Sequence, residues 1–224
     1  MPETYPLSEQ TTDWIRTEFA SANLGDERLN KRLASIVHTF CSHPTASIPQ
    51  ASGTWANTKA AYRFLKNEKV THENILQPHH HATHARIRNE KVILAVQDTT
   101  SLNYTHLHET TGLGSIGTNQ QLRGMLVHTT MAFTPEKVPL GIIHQQTWIR
   151  PEKDYGKKHQ RKHKPIDEKE SQKWLLSLNA TRNLQKQSPD TFLINVGDRE
   201  ADIYELFYDA THHEQPCHLL VRAA

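Results

Sequence analysis

The chain has 224 residues, 26 Lys or Arg against 24 Asp or Glu, and a formal net charge of +2 with its 16 histidines counted neutral. That length admits one large domain, or a small one joined to a medium one, and either can bury a sizeable core. No run approaches the roughly 20 consecutive apolar residues of a membrane span, the first residues with Glu3, Glu9 and Asp13 lack the profile of a secretory leader, and the distant pair Cys41 and Cys217 excludes a disulfide framework or a cysteine-rich zinc site.

These exclusions lead us to expect a soluble protein of the cytoplasm. The net charge alone does not announce a nucleic-acid binder, but the basic residues are unevenly spread. The first 70 residues read as helices. A short one carries Trp14, Ile15 and Phe19. In the next, Leu29, Leu33, Ile36, Val37 and Phe40 follow the spacing of one helical face, Asp26 stands where an N-cap belongs, and Pro44 lies just past the end. Arg28, Lys31 and Arg32 fall on its polar side and form one basic patch. A third, from Thr54 to Lys66, is expected to turn Trp55, Ala61, Phe64 and Leu65 inward and Lys59, Arg63 and Lys66 outward. A small helical domain with a solvated basic face accounts for the same pattern.

From Thr71 to Arg88 the sequence predicts another helix, with Thr71 as N-cap. His80 and His84 stand at i, i+4, a spacing that can share a metal; without a third donor at a recognised spacing, the alternative is a polar helix face. Beyond Lys91 the period changes. The run to Gln97 reads as a strand buried on both faces that stops at Asp98, Thr99, Thr100 and Ser101. Gly124 to Thr134 and Val138 to Trp148 read as a hairpin about Pro135-Glu136-Lys137. Asp167 with Glu170 has the capping-box pattern and is expected to open a helix through Trp174, Leu178 and Leu184. A strand from Thr191 to Val196 again halts before an acid, Asp198, and is followed by a helix through Ile203, Leu206 and Phe207 and a last strand, His218 to Val221.

A three-stranded meander followed by helix and strand crossovers makes a mixed sheet with flanking helices, in which the first and fourth strands lie side by side in parallel. Asp98 and Asp198 then emerge at one carboxyl edge, where such folds place their sites. Two close carboxylates repel unless a cation lies between them, and hard oxygen ligands suit Mg²⁺ or Mn²⁺ and phosphate chemistry. The plainer alternative is that each Asp caps a turn at the end of its strand.

Several motifs in one order carry a resemblance. Asp98-Thr99-Thr100-Ser101-Leu102, Leu113-Gly114-Ser115-Ile116-Gly117, Arg123-Gly124, Asp167 to Ser171 before Lys173-Trp174, and Asp198-Arg199-Glu200-Ala201-Asp202-Ile203 resemble the cut-and-paste DDE transposases of bacterial insertion sequences, the Tn-five-like group. Asp13-Trp14, Leu24-Gly25-Asp26 with Arg28 and Arg32, and Ala61-Tyr62-Arg63-Phe64 are similar to that family's helical end-binding domain. The resemblance implies an end-binding domain over residues 1–70 and an incomplete ribonuclease-H-like catalytic core over 71–224. In that core Asp98 and Asp198 are the first two acids of the catalytic triad and hold divalent metal, Mg²⁺ or Mn²⁺, for in-line phosphoryl transfer. Its implied partners are double-stranded DNA, as terminal repeats and target, and a second copy in the synaptic dimer, with no membrane. The repeat contacts map onto Arg28 and Arg32.

Three departures qualify it. Position 29 is Leu where relatives often have a second adjacent Arg, and Gln97 replaces the acid commonly preceding the first Asp. The family's third acid lies in a Tyr-Arg-Glu-Lys type motif after the last strand, whereas this sequence ends at Arg222-Ala223-Ala224. The expectation is the N-terminal portion of a transposase, without third acid or dimerisation helices and without efficient transposition on its own. Glu200 and Glu205, on the helix after Asp198, are the nearby acids that can substitute for the third, against the alternative that Glu200 complements the helix N-terminus.

Lys153 to Lys164 holds six Lys or Arg against one acid. Lys157, Lys158, Arg161 and Lys162 there can add salt-sensitive DNA affinity, or the segment is simply solvated. The transposase reading thus stands beside two others: a non-enzymatic DNA-binding regulator of transposition, and a small metal-dependent nuclease.

Overall fold

A computed structural model describes residues 9–117, 121–151 and 164–223. The chain forms two compact units, Met1–Ala82 and Thr83–Ala224. Among the described residues no helix is long and apolar enough to cross a membrane.

The first unit is helical: α1 (Glu9–Glu18), α2 (Glu27–Ser42), α3 (Ile48–Ser52), α4 (Trp55–Leu65) and the start of α5 (His72–Ile87). Asp26 caps α2 as its position predicts, accepting from the backbone N–H of Arg28 at 2.8 Å. Thr54 caps α4 through the N–H of Asn57. The expected apolar face of α2 is the one buried: Leu33 and Ile36 join Leu24, Ala61 and Phe64 in the core, with Leu29, Val37 and Phe40 packed against them. On α4 the sequence expectation holds for Ala61 and Phe64 and fails for Trp55 and Leu65, which are 77% and 47% exposed. The buried face of α4 is Thr58, Ala61 and Phe64 at i, i+3, i+6. Trp55 continues that spacing only in one-letter pattern: it is the first residue of the helix, beyond the reach of the packed turns. The histidines of α5 bind α1 and its tail. His79 Nδ1 lies 2.5 Å from Oε1 of Glu18, which is 2% exposed, and His81 Nδ1 is 3.2 Å from Ser21 Oγ.

The second unit is a six-stranded mixed sheet: β1 (Val92–Asn103), β2 (Gly114–Ser115), β3 (Arg123–Phe133), β4 (Pro139–Trp148), β5 (Phe192–Gly197) and β6 (His218–Val221). The order is β2-β3-β1-β5-β6, with β4 following β2 along the edge of β3 that faces away from β1. β3 is antiparallel to β1 and β4, while β5 lies parallel to β1 and to β6, the arrangement expected from the crossovers. Helices α6 (Gln172–Gln187) and α7 (Tyr204–His212) complete it.

Strand β1 does not stop at Asp98 as the sequence suggested; its pairing with β3 continues to Asn103 opposite Gly124. What ends at Gln97 is burial, because the hydroxyl-rich half still satisfies its backbone against β3 and only the apolar half is covered. A Cβ at Gly124 would collide with the Leu102 carbonyl, so the close approach of the two strands there requires glycine. The capping box at Asp167 is not formed. Ile166–Glu168 makes a 3₁₀ turn, α6 begins only at Gln172, and Glu170 is drawn away by Arg150, which grips its carboxylate at 2.5 and 2.7 Å. A bidentate charge-assisted pair outcompetes one capping hydrogen bond.

One face of the sheet is dry. Ile93, Ala95, Ala132, Ile143 and Leu193 pack with Ile87 and Leu184, and Trp174, Leu178, Ala201, Leu206 and Ala210 continue the core between α6 and α7. Leu94, Val96, Ile194 and Val196, of the opposite parity, are half-buried.

Candidate nucleic-acid interface and acidic rim

Two helices of the first unit bring four of the anticipated cations to one place. Arg28 and Arg32 are one turn apart on α2, and Lys59 and Arg63 one turn apart on α4. Together with Leu29, Ala56, Ala60 and Asn67 they line a groove of about 530 Å³. Arg28 is held from below: Asp26 accepts its Nη2 at 3.0 Å and its Nε at 3.3 Å. That hydrogen bonding holds the Asp26 carboxyl below its ordinary range and raises the guanidinium of Arg28. The head of Arg28 is thus oriented while 91% of its side chain stays exposed. Lys31 is outside this lining and faces Glu27 at 3.8 Å, one turn back on α2. Four cations on one groove offer the charge that a phosphate backbone, whose neutralisation releases counterions, would meet. Lys157, Lys158, Arg161 and Lys162 lie outside the described residues.

In the second unit the register carries the two aspartates onto neighbouring strands. Val96 of β1 pairs with Val196 of β5 in parallel, and each aspartate lies two residues further along its chain. Neighbouring strands are about 4.8 Å apart, so the two acids follow one paired position, but Asp98 lies within β1, which runs on to Asn103, whereas Asp198 lies just past the end of β5. Both are exposed. Oδ1 of Asp98 accepts from the N–H of Thr99 at 2.7 Å, and Oδ1 of Asp198 accepts from the N–H of Glu200 at 2.9 Å, as the cap of a 3₁₀ turn. The turn-capping role foreseen for an Asp at a strand end is therefore real for Asp198, and it leaves Oδ2 for another partner. As hard oxygen donors the two carboxylates suit Mg²⁺ or Mn²⁺, but no group of three metal-ligating side chains occurs among the described residues. His80 and His84 likewise form no such group.

Behind each aspartate is a support that sequence reasoning missed. Glu200, whose backbone holds Asp198, sends Oε2 to Lys173 Nζ at 3.0 Å. Lys173 is a lysine only 9% exposed, lying over the rings of Trp174 and Trp148 at 5.4 and 5.9 Å. Gly197, just before Asp198, lets the 3₁₀ turn close: a Cβ there would lie 2.6 Å from that of Ala201. Flanking Asp98, Gln97 and Thr99 both reach the buried His128 of β3. Thr99 Oγ1 lies 2.9 Å from Nδ1 and Gln97 Oε1 lies 3.3 Å from Nε2. Gln97 Nε2 then donates to Asn195 Oδ1 at 3.2 Å, and Asn195 Nδ2 to the carbonyl of His218 at 3.4 Å. These partners assign the ring proton to Nε2: Thr99 donates to Nδ1, and Nε2–H donates to Gln97. Burial, with Lys173 and His144 adding positive charge, pushes His128 down to about 3, so the ring is neutral. The available signal was polar residues at core parity: His128 and Thr130 share the buried face of β3 with Leu126 and Ala132.

The fold and the two sites define a class: a helical unit bearing a cationic groove, followed by a mixed α/β unit with two acids that follow one paired position of its parallel strands. Residues 11–70 match the family model described as transposase DNA-binding. The match covers 60 of the 224 residues, contains all four groove cations, and supports a transposase N-terminal region whose partner is DNA.

Proposed function

We propose that this chain binds the terminal repeats of a mobile element through the groove of α2 and α4, and that its second unit is a DDE-type, ribonuclease-H-like unit of cut-and-paste transposition. The observation that carries the DNA-binding half is the convergence of Arg28, Arg32, Lys59 and Arg63 on one groove inside the matched residues. The strand order, three antiparallel strands continued by two parallel ones, supports the second half, as does the position of Asp98 and Asp198 after one paired position of β1 and β5.

In this reading Arg28 and Arg32 contact phosphates at the repeat, with Asp26 orienting Arg28. Asp98 and Asp198 would hold Mg²⁺ or Mn²⁺, which when bound supplies Lewis-acid stabilisation of the phosphoryl group. The chain's own contribution is to hold two oxygens at a fixed separation, through the His128 hydrogen bonds around Asp98 and the Lys173–Glu200 pair behind Asp198. Target DNA and a second copy of the chain are the further partners of a synaptic complex.

The test is duplex binding over a range of salt, with and without Mg²⁺. Replacing all four groove cations by Ala should reduce the slope of log affinity against log salt by about 3.6, at about 0.9 per neutralised phosphate; an unchanged slope rejects the groove. Mg²⁺-dependent strand cutting lost in Asp98→Asn would support the catalytic half. A second reading, a DNA-binding regulator without cutting, is favoured by the lack of a third donor among the described residues. Binding without any Mg²⁺-dependent nicking selects it.

A further inference from the structure

The most exposed large apolar side chain among the described residues is Trp55, at 77%. It opens α4 behind the Thr54 cap, and the core of the first unit is built without it. Trp55, Lys59 and Arg63 follow one another at i, i+4 and i+8, so the indole continues, by one helical turn, the cationic stripe that lines the groove. The adjacent lining residues Ala56 and Ala60 are small, which leaves the helix surface open to close approach. A flat, rigid apolar ring in water is poorly placed for stability, but in line with phosphate-binding cations it is where a nucleic acid presents its sugar face or a base step.

We propose that Trp55 stacks against the DNA held by the groove, adding a sequence-tolerant apolar contact to the phosphate contacts of Lys59 and Arg63. This rests on the DNA-binding reading of the groove and adds a contact of different physics to it. Phosphate contacts release counterions and weaken with salt; stacking removes apolar surface from water and is nearly indifferent to salt. The two can therefore be separated in one titration.

The experiment uses the full chain, a labelled mixed-sequence duplex and anisotropy at several salt concentrations, with Trp55→Ala, Trp55→Phe and the double variant Lys59→Ala/Arg63→Ala. Trp55 is exposed at a helix start, so its replacement leaves the fold intact. Trp55→Ala should weaken binding on the order of tenfold, as for removing about 50 Å² of apolar contact at about 25 cal/mol per Å². Its salt slope should match that of the unaltered chain, and Trp55→Phe should restore most of the affinity. The double variant should instead flatten the slope, by about 1.8. If the double variant weakens binding while Trp55→Ala binds like the unaltered chain, the stacking proposal alone is overturned. If the double variant has no effect, the groove reading falls and stacking with it. If Trp55→Ala changes only the self-association of the free chain, measured by sedimentation, the indole serves a contact between copies and the proposal is wrong.

Discussion

His128 should make the second unit sensitive to acid in a way that a single substitution removes. Its side chain is fully buried, and its proton affinity falls from the ordinary 6.5 to about 3 because burial disfavours the charged ring. The unfolded chain therefore binds a proton at this position between those two values and the folded chain does not. The stabilisation is complete above pH 6.5 and is lost as the pH falls, at about 1.4 kcal/mol per pH unit. Between pH 7 and pH 4.5 this amounts to about 2.5 kcal/mol, a large share of the roughly 5–15 kcal/mol that holds a domain together. Other groups titrate in the same interval, among them His144, whose affinity burial also lowers. The comparison with His128→Leu isolates one ring. Urea unfolding at the two pH values should show the unaltered chain losing about 2.5 kcal/mol more than His128→Leu. At pH 7 the variant starts lower, because Gln97 Oε1 and Thr99 Oγ1 lose their buried partner. Equal losses in the two proteins, or a His128 ring signal that titrates near pH 6, would refute the argument.

Three further outcomes follow from the same geometry. Gly197→Ala places a methyl against Ala201 and 3.3 Å from the Trp174 ring, and should cost about 1–3 kcal/mol in chemical unfolding; a neutral variant would mean that the turn carrying Asp198 relaxes freely. Lys173→Met keeps the hydrocarbon stem between the two indoles and removes the ammonium. Its partner Glu200 is 68% exposed and can solvate alone, so stability should shift by less than about 1 kcal/mol while amide exchange at Glu200 and Ala201 accelerates. Unchanged exchange would show that the pair does not hold the turn. Glu18→Ala removes a buried carboxylate from His79 and should destabilise the first unit by about 3 kcal/mol in thermal unfolding, and a shift below a few tenths would argue that the pair contributes nothing.

The elements that sequence disclosed best are those whose period is set by a single covered face. The stripe of α2 belongs to this kind; the hairpin of β3 and β4 was marked instead by its turn residues, and the parallel pairing of β1 with β5 by the helical crossovers. Each helix's share of the groove was readable for a related reason, since cations one turn apart on an amphipathic helix share a side; that the two faces converge, and that Lys31 and Lys66 fall outside the lining, was not. Trp55 and Leu65 were misread because hydrophobicity was taken for direction at the ends of α4, where packing no longer constrains it. The capping box at Asp167 failed because a local pattern cannot see Arg150, 20 residues away along the chain, competing for Glu170. The supports of the aspartates were invisible for the same reason. Nothing local in Lys173 states that it will be enclosed, and the core parity of His128 marks a buried position without naming its partners; both emerge only when α6 is laid across the sheet.

The hydrogen bonds linking Thr99, His128, Gln97, Asn195 and the His218 carbonyl run in one direction through β3, β1, β5 and β6. Apolar contacts tolerate slippage, since one aliphatic neighbour replaces another with little penalty. A donor-to-acceptor sequence does not: sliding any of these strands by one residue would turn its polar members toward the other side and strand their mates in a dry interior, at about 1–3 kcal/mol for each. The unit therefore carries its own alignment gauge, and the register of the strands that bear the two aspartates is decided by amides and an imidazole buried within the sheet.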